Sequence, residues 1–203
     1  MKFSVITIIL AGLFFIGCEN TTNMITEPND LQKEALVPGE HISTLPYYDI
    51  IPLPERSPIY LDSVFTISLP IVGEIGGRLV LDKFYVSAEG KIVTMLADLT
   101  IPPNAFSGVR TITLTVDKNF AAVQCKPRMV FNKPLILVQT FTGLDLNQFN
   151  SGTIDFNFIN KNGTLENVER TALTVIKPLG IVTVLNAKIN HFSKYGWVRK
   201  PND

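Results

Sequence analysis

A chain of 203 residues with 46% apolar side chains has room for one domain with a real core, or at most two small ones, and is too apolar to be disordered. Its 18 basic and 18 acidic residues cancel with no basic stripe or acidic block, which argues against a nucleic-acid partner and against a polybasic membrane surface. The bulk of the chain is rich in Val, Ile, Leu, Phe and Thr and poor in Ala and Glu, a strand composition.

The N-terminus reads as an address. Lys2 precedes an apolar run, Phe3–Ile16, broken by Ser4, Thr7 and Gly12. The run is shorter than the ~20 residues that span a bilayer, so residues 1–17 are expected to be a secretory signal. It closes on Phe15-Ile16-Gly17-Cys18, which resembles a bacterial lipobox. That resemblance implies diacylglyceryl attachment to the Cys18 thiol, cleavage before Cys18, and acylation of the new amino group. Several acyl chains hold a protein at a membrane where one is marginal. Lipidation of Cys18 leaves Cys125 as the sole free thiol and rules out an intrachain disulfide. Cys125 is expected to be a small buried hydrophobe.

Residues 18–58 read as a flexible tether. From Glu19 to about Leu45 the chain is polar, with scattered Pro, Asn and Thr and no sustained period, so it cannot bury a face. His41 lies within it, alone and solvated. Four prolines in Pro46–Pro58 favour extended, partly polyproline-like backbone.

From Tyr60 the period is two. Phe65, Ile67 and Leu69 alternate with Thr66 and Ser68. Pro70 and the Gly73–Gly77 region punctuate, and Leu79 and Leu81 resume the pattern. Val93, Met95, Ala97, Leu99 and Ile101 share one face, as do Ile112, Leu114 and Val116. Leu135–Phe141 is a more buried strand. Ile154, Phe156 and Phe158 lead into Asn160–Gly163, where Asn-Gly suits a type I′ hairpin turn. Leu165–Val168, Thr171–Ile176, Ile181–Ile189 and Phe192–Val198 complete the set. Prolines 102, 103, 127, 134 and 178 should stand at strand ends, where a missing N–H harms no ladder. Residues 59–203 are therefore expected to form an all-β, antiparallel β-sandwich of about nine or ten short strands, with a barrel as the alternative.

Two stretches together suggest a family. One begins Gly76-Gly77-Arg78-Leu79 and runs through a strand to Ile101-Pro102-Pro103-Asn104-Ala105-Phe106. The other is Asn190-His191-Phe192-Ser193-Lys194-Tyr195-Gly196. They resemble the ZU-five domain, the module shared by zonula occludens proteins, netrin receptors and ankyrins, in its bacterial lipoprotein form. The resemblance spans about Ile75–Val198 and implies a β-sandwich used for protein–protein contact or scaffolding. Some ZU-five domains cut themselves between Phe and Ser of a His-Phe-Ser triplet. Carried over, Ser193 Oγ would attack the Phe192 carbonyl, His191 would orient or deprotonate the hydroxyl, and water would cleave the ester. That step needs a strained peptide. Bacterial relatives keep the triplet as a structural closure, so the non-catalytic reading is preferred.

Other chemistries find less support. A Ser-His-Asp triad could draw only on His191, and no Gly-x-Ser-x-Gly elbow exists. The two histidines stand 150 residues apart, so no metal site is expected. Asp145 and Asn147 could offer oxygens to Ca²⁺ but lack the Gly and Glu of a helix–loop–helix site. Asp155 and Glu166, on opposite arms of the hairpin, are expected to be solvated rather than paired for glycoside chemistry.

The sequence thus predicts a lipid-anchored cell-envelope protein, without cofactor or enzymatic activity, whose sandwich binds another protein. Glu19 in place of the aspartate linked to inner-membrane retention favours the outer membrane. The alternatives are a self-cleaving domain and a carbohydrate-binding sandwich. Exposed Tyr85, Tyr195 or Trp197 would favour the last, and burial would count against it.

Overall fold

The computed structural model describes residues 49–60, 64–149 and 151–200. The expectations for the signal segment, Cys18, His41 and most of the tether lie outside those residues. Among the described residues no helix is long and apolar enough to cross a membrane.

Among the described residues twelve antiparallel strands form two sheets. In chain order they are β1 (Asp49–Ile50), β2 (Thr66–Val72), β3 (Gly77–Val86), β4 (Ile92–Ile101), β5 (Val109–Val116) and β6 (Ala122–Lys126). Then come β7 (Val130–Thr142), β8 (Ile154–Ile159), β9 (Leu165–Asn167), β10 (Ala172–Ile176), β11 (Ile181–His191) and β12 (Lys194–Arg199). One sheet runs β2-β5-β6-β12-β8-β9, with β1 also paired to β12. The other runs β10-β11-β7-β4-β3. This is the expected all-β antiparallel sandwich.

Period-two alternation decides the core. Val93, Met95, Ala97, Leu99 and Ile101 are all buried, as are Ile112, Leu114 and Val116, because successive side chains on a strand face opposite ways. Outer faces carry threonine ladders such as Thr66–Thr115 at 3.0 Å and Thr94–Thr142 at 2.6 Å. The two extra strands are β1 and β6. Each is short, and each lies beside proline-bearing sequence with little alternation to read.

β1 corrects the tether boundary. Asp49 and Ile50 pair with Arg199 and Val198, continuing the flank of β12 where β6 has turned away. Ile51 and Leu53 are core residues. Arg56 lies over the rings of Phe65 and Tyr85, at 4.8 and 5.1 Å, and Tyr85 Oη donates to the Pro54 carbonyl at 2.6 Å. Residues 49–57 are thus part of the sandwich, because their apolar side chains find a place between the sheets.

Two prolines lie inside strands. Pro70 is in β2, an edge strand whose sole ladder partner is β5, so its missing N–H breaks nothing. Pro134 is in β7, where the register with β11 shifts between Leu135↔Ile189 and Val130↔His191, a bulge that asks no N–H of it. The Asn160 hairpin also differs from expectation. Gly163 N donates to Asn160 O at 3.1 Å and Asn160 N to Thr164 O at 2.9 Å, and only Gly163 has positive φ. A type I′ turn needs two such residues, so this is a longer turn with glycine at its left-handed position.

The sandwich has two distinguishable ends. The chain comes in at the proximal end, beside Arg199 and the β5–β6 turn. The distal end holds the Gly73–Gly77 turn, the Pro102–Gly108 loop, the Lys126–Met129 loop, the Asn160–Thr164 turn and the β11–β12 crossing. β12, six residues long, separates the two ends by about 20 Å at ~3.3 Å per residue.

Candidate functional site

The His191-Phe192-Ser193 triplet sits where the chain leaves one sheet and joins the other. β11 ends at His191 and β12 begins at Lys194. The crossing is clamped by backbone bonds. Phe192 N donates to Met129 O at 2.9 Å, and Cys125 N donates to Ser193 O at 2.9 Å. Tyr195 Oη donates to His191 O at 2.6 Å. The Tyr195 phenol is held above its ordinary value, first by burial, so it stays protonated and able to donate.

The side chains of the triplet pack into the fold around this crossing. Phe192 is buried and meets Phe131 edge-on at 4.7 Å, and Phe131 in turn meets Phe106 at 6.3 Å. The His191 ring stands edge-on to Phe158 at 4.4 Å. No hydrogen bond joins the His191 imidazole to Ser193 Oγ among the described residues, and no donor reaches the Phe192 carbonyl oxygen. No residue from 191 to 193 has positive φ.

The stretches that carried the family resemblance meet here. Gly77 pairs with Ile101. A Cβ on Gly76 (φ +79°) would come within 2.3 Å of the Ile101 carbonyl oxygen, so only glycine lets these backbones approach so closely. Asn104 N donates to Gly73 O and Asn132 N to Ala105 O, both at 2.8 Å. The chain of contacts Phe106–Phe131–Phe192 then links the Ile-Pro-Pro loop to the triplet. Phe131 and Met129, which complete this closure, were not legible as site residues, because no motif surrounds them.

The remaining candidates are dispersed. Cys125 is buried, and desolvation pushes its thiol up to about 12, which leaves no thiolate for chemistry at neutral pH. Asp145 Oδ1 accepts from the backbone and side-chain nitrogens of Asn147, both at 3.2 Å, a local turn. Asp155 is not solvated as expected: it bridges Arg170 at 2.5 Å and Lys200 at 2.6 Å. Glu166 accepts from Asn160 Nδ2 at 2.8 Å. Tyr85, Tyr195 and Trp197 are all buried, so none of them offers a sugar-stacking surface.

Around the triplet the distal end opens into two adjoining recesses of about 500 and 400 Å³. Arg128, Asn160 and Phe192 line both. The larger is walled by Cys125–Arg128, whose Lys126–Pro127 peptide is cis, and by Asn160–Lys161 of the hairpin turn. The smaller reaches Val130, His191 and Glu166. Comparison with known proteins adds no relative: no family model, no curated protein and no solved structure matches this chain. The geometry defines an antiparallel β-sandwich with a motif-closed, recessed distal end.

Proposed function

We propose that this chain is a lipid-anchored protein of the bacterial cell envelope, attached through Cys18, whose sandwich is a non-catalytic module for binding another protein. The observation that carries the reading is the polarity of the sandwich. Its N-terminal strand joins at Arg199, while the recesses of about 500 and 400 Å³ beside the triplet lie at the far end of β12; two smaller ones, of about 380 and 250 Å³, lie at the near end. The two distal recesses thus lie at the end of the sandwich opposite the one where β1 joins. The apolar run ending at Cys18 and the ZU-five resemblance support the same reading. So does the triplet, whose backbone bonds and buried Phe192 join the two sheets.

The test is an intact mass of the protein extracted from membranes under denaturing conditions, beside a Cys18→Ala variant. A chain starting at Cys18, carrying acyl adducts and ending at Asp203 is the expected species, and the variant should leave the membrane fraction. An unmodified soluble chain would overturn the anchor. A mass lacking Ser193–Asp203 would replace the binding module with a self-cleaving one.

A further inference from the structure

The chain's neutrality conceals a charge separation. Residues 19–48 hold five acidic residues and one basic residue, while residues 49–203 hold sixteen basic and thirteen acidic ones. The sandwich is therefore net +3 and the segment before it net −4. Among the described residues seven cations lie within ion-pair distance of a carboxylate. Lys126, Arg128 and Lys161 have no carboxylate of a described residue within that distance, and all three line the larger distal recess. Folding brings them together from two loops 33 residues apart in sequence, counted from Arg128 to Lys161.

The recess is more than a charge cluster. Phe192, Pro127 and Ile159 give it apolar wall, and Gln124, Asn160 and Ser193 give it hydrogen-bonding groups. Beside it, across Arg128, the second recess ends at Val130, which is 77% exposed. A solvent-facing valine at the rim of a cationic groove is an apolar foothold next to charged ones. The cations stand on two walls, Lys126 and Arg128 on one and Lys161 on the other. That spread suits several carboxylates along a chain rather than one small anion. Arg128 can take a carboxylate with two parallel N–H bonds.

We propose that the distal groove binds an extended acidic peptide of a partner protein. Carboxylates meet Lys126, Arg128 and Lys161, and an aliphatic side chain beyond Arg128 rests on Val130 in the adjoining recess, which Glu166 also lines. This names the partner chemistry for the binding-module reading and rests on it. It does not depend on the lipid, so the mass measurement and the following titration can fail independently.

The test uses the full-length chain in a neutral detergent at 50 mM salt, with a fluorescein-labelled Asp-Glu-Leu-Asp-Glu peptide read by anisotropy. Lys126→Ala, Arg128→Ala and Lys161→Ala should each weaken binding on the order of 3- to 10-fold, as expected for partly exposed charge pairs at an interface. The triple variant should abolish binding. Lys118→Ala, which removes an exposed cation from the proximal β5–β6 turn, should leave binding unchanged. Raising salt to 300 mM should weaken it about 10-fold, because exposed charges are screened within a Debye length. Near-ultraviolet circular dichroism checks that each variant is folded. Unchanged affinity in the triple variant, or no binding at millimolar peptide, overturns the proposal. Displacement by inorganic phosphate at equal charge concentration overturns it in favour of a simple anion site. Binding that emerges only after Glu27→Gln, Asp30→Asn, Glu34→Gln and Glu40→Gln are combined makes the chain's own acidic segment the occupant, which also overturns it.

Discussion

Trp197 and Gln139 form a buried polar contact across the sandwich, and its energetics can be worked out in advance. Trp197 Nε1 donates to Gln139 Oε1 at 3.1 Å, linking β12 in one sheet to β7 in the other. Both side chains are fully buried, and Gln139 Nε2 has no partner in the described structure. A buried polar group left unpaired costs about 1–3 kcal/mol. Trp197→Phe removes the donor, strands the Gln139 carbonyl beside its already orphaned amide, and thins the packing against Phe156, whose ring lies 5.5 Å away. Its cost should be about 2–4 kcal/mol, the sum of the orphaned acceptor and lost ring volume. Gln139→Leu has opposed effects: it strands the indole N–H but removes the unpaired Nε2 at nearly constant volume. It should fall within about 1 kcal/mol of neutral. The double variant removes both polar ends and keeps only the packing loss, so it should be more stable than Trp197→Phe alone by about 1–2 kcal/mol. Urea unfolding followed by far-ultraviolet circular dichroism, which needs no tryptophan, measures all four species. If the double variant is destabilised by the sum of the singles or more, the contact is not the polar pair described here.

Three further outcomes follow from the same structure. Ile51→Ala, in the stretch that composition assigns to the tether, should cost about 2–4 kcal/mol because Ile51 is a fully buried core residue; a thermal melt showing under about 0.5 kcal/mol would return residues 49–57 to the tether. Gly196→Ala puts a Cβ 2.6 Å from the Ala122 Cβ and 3.2 Å from the Ala121 carbonyl oxygen; neither neighbour is the end of a flexible side chain, so chemical denaturation should show a loss of about 1–3 kcal/mol. Stability should also fall in alkali. Burial raises Cys125 from 9.0 and Tyr85 from 10.0, each to about 12, and raises Tyr195 as well. The folded state therefore holds protons that the unfolded state gives up first. The stability they contribute is complete below pH 9 and drains away between 9 and 12. Melting temperatures that stay level from pH 8 to 11 would refute this.

The sandwich was legible because its long strands alternate cleanly. Ile92–Ile101 buries every second residue and the strand Val109–Val116 does so from Ile112 on, and one face of such a strand has no other place to go. β1 and β6 were not legible. β1, two residues among prolines, acquires its pairing from β12, more than 140 residues further along the chain, and β6, a five-residue run with buried Ala122, Val123 and Cys125, is held between its neighbour β5 and the same distant β12. Tertiary context, not local pattern, makes them strands. Asp155 shows the same limit. Its outward position was readable, but its partners Arg170 and Lys200 come from the loop before β10 and the residue after β12, and no spacing rule connects those places.

The two kinds of signal at the distal end therefore differ in origin and in meaning. Gly76-Gly77, Ile101–Phe106 and His191–Ser193 stand out in sequence because each must solve a tight local problem. They allow a close backbone approach, stop a strand, and carry the chain from one sheet to the other. Phe106, Phe131 and Phe192 join these solutions into one closure. The backbone bonds of the crossing and the packing of these rings are committed to the fold. The groups free to meet a partner are Lys126, Arg128, Lys161 and Val130, which no motif marks, because an exposed lysine in a turn looks the same whether or not folding sets two more cations beside it. A surface assembled from separate loops leaves little trace in a linear pattern. For this chain the recognisable motifs build the end of the sandwich, and the unremarkable residues around them face outward from it.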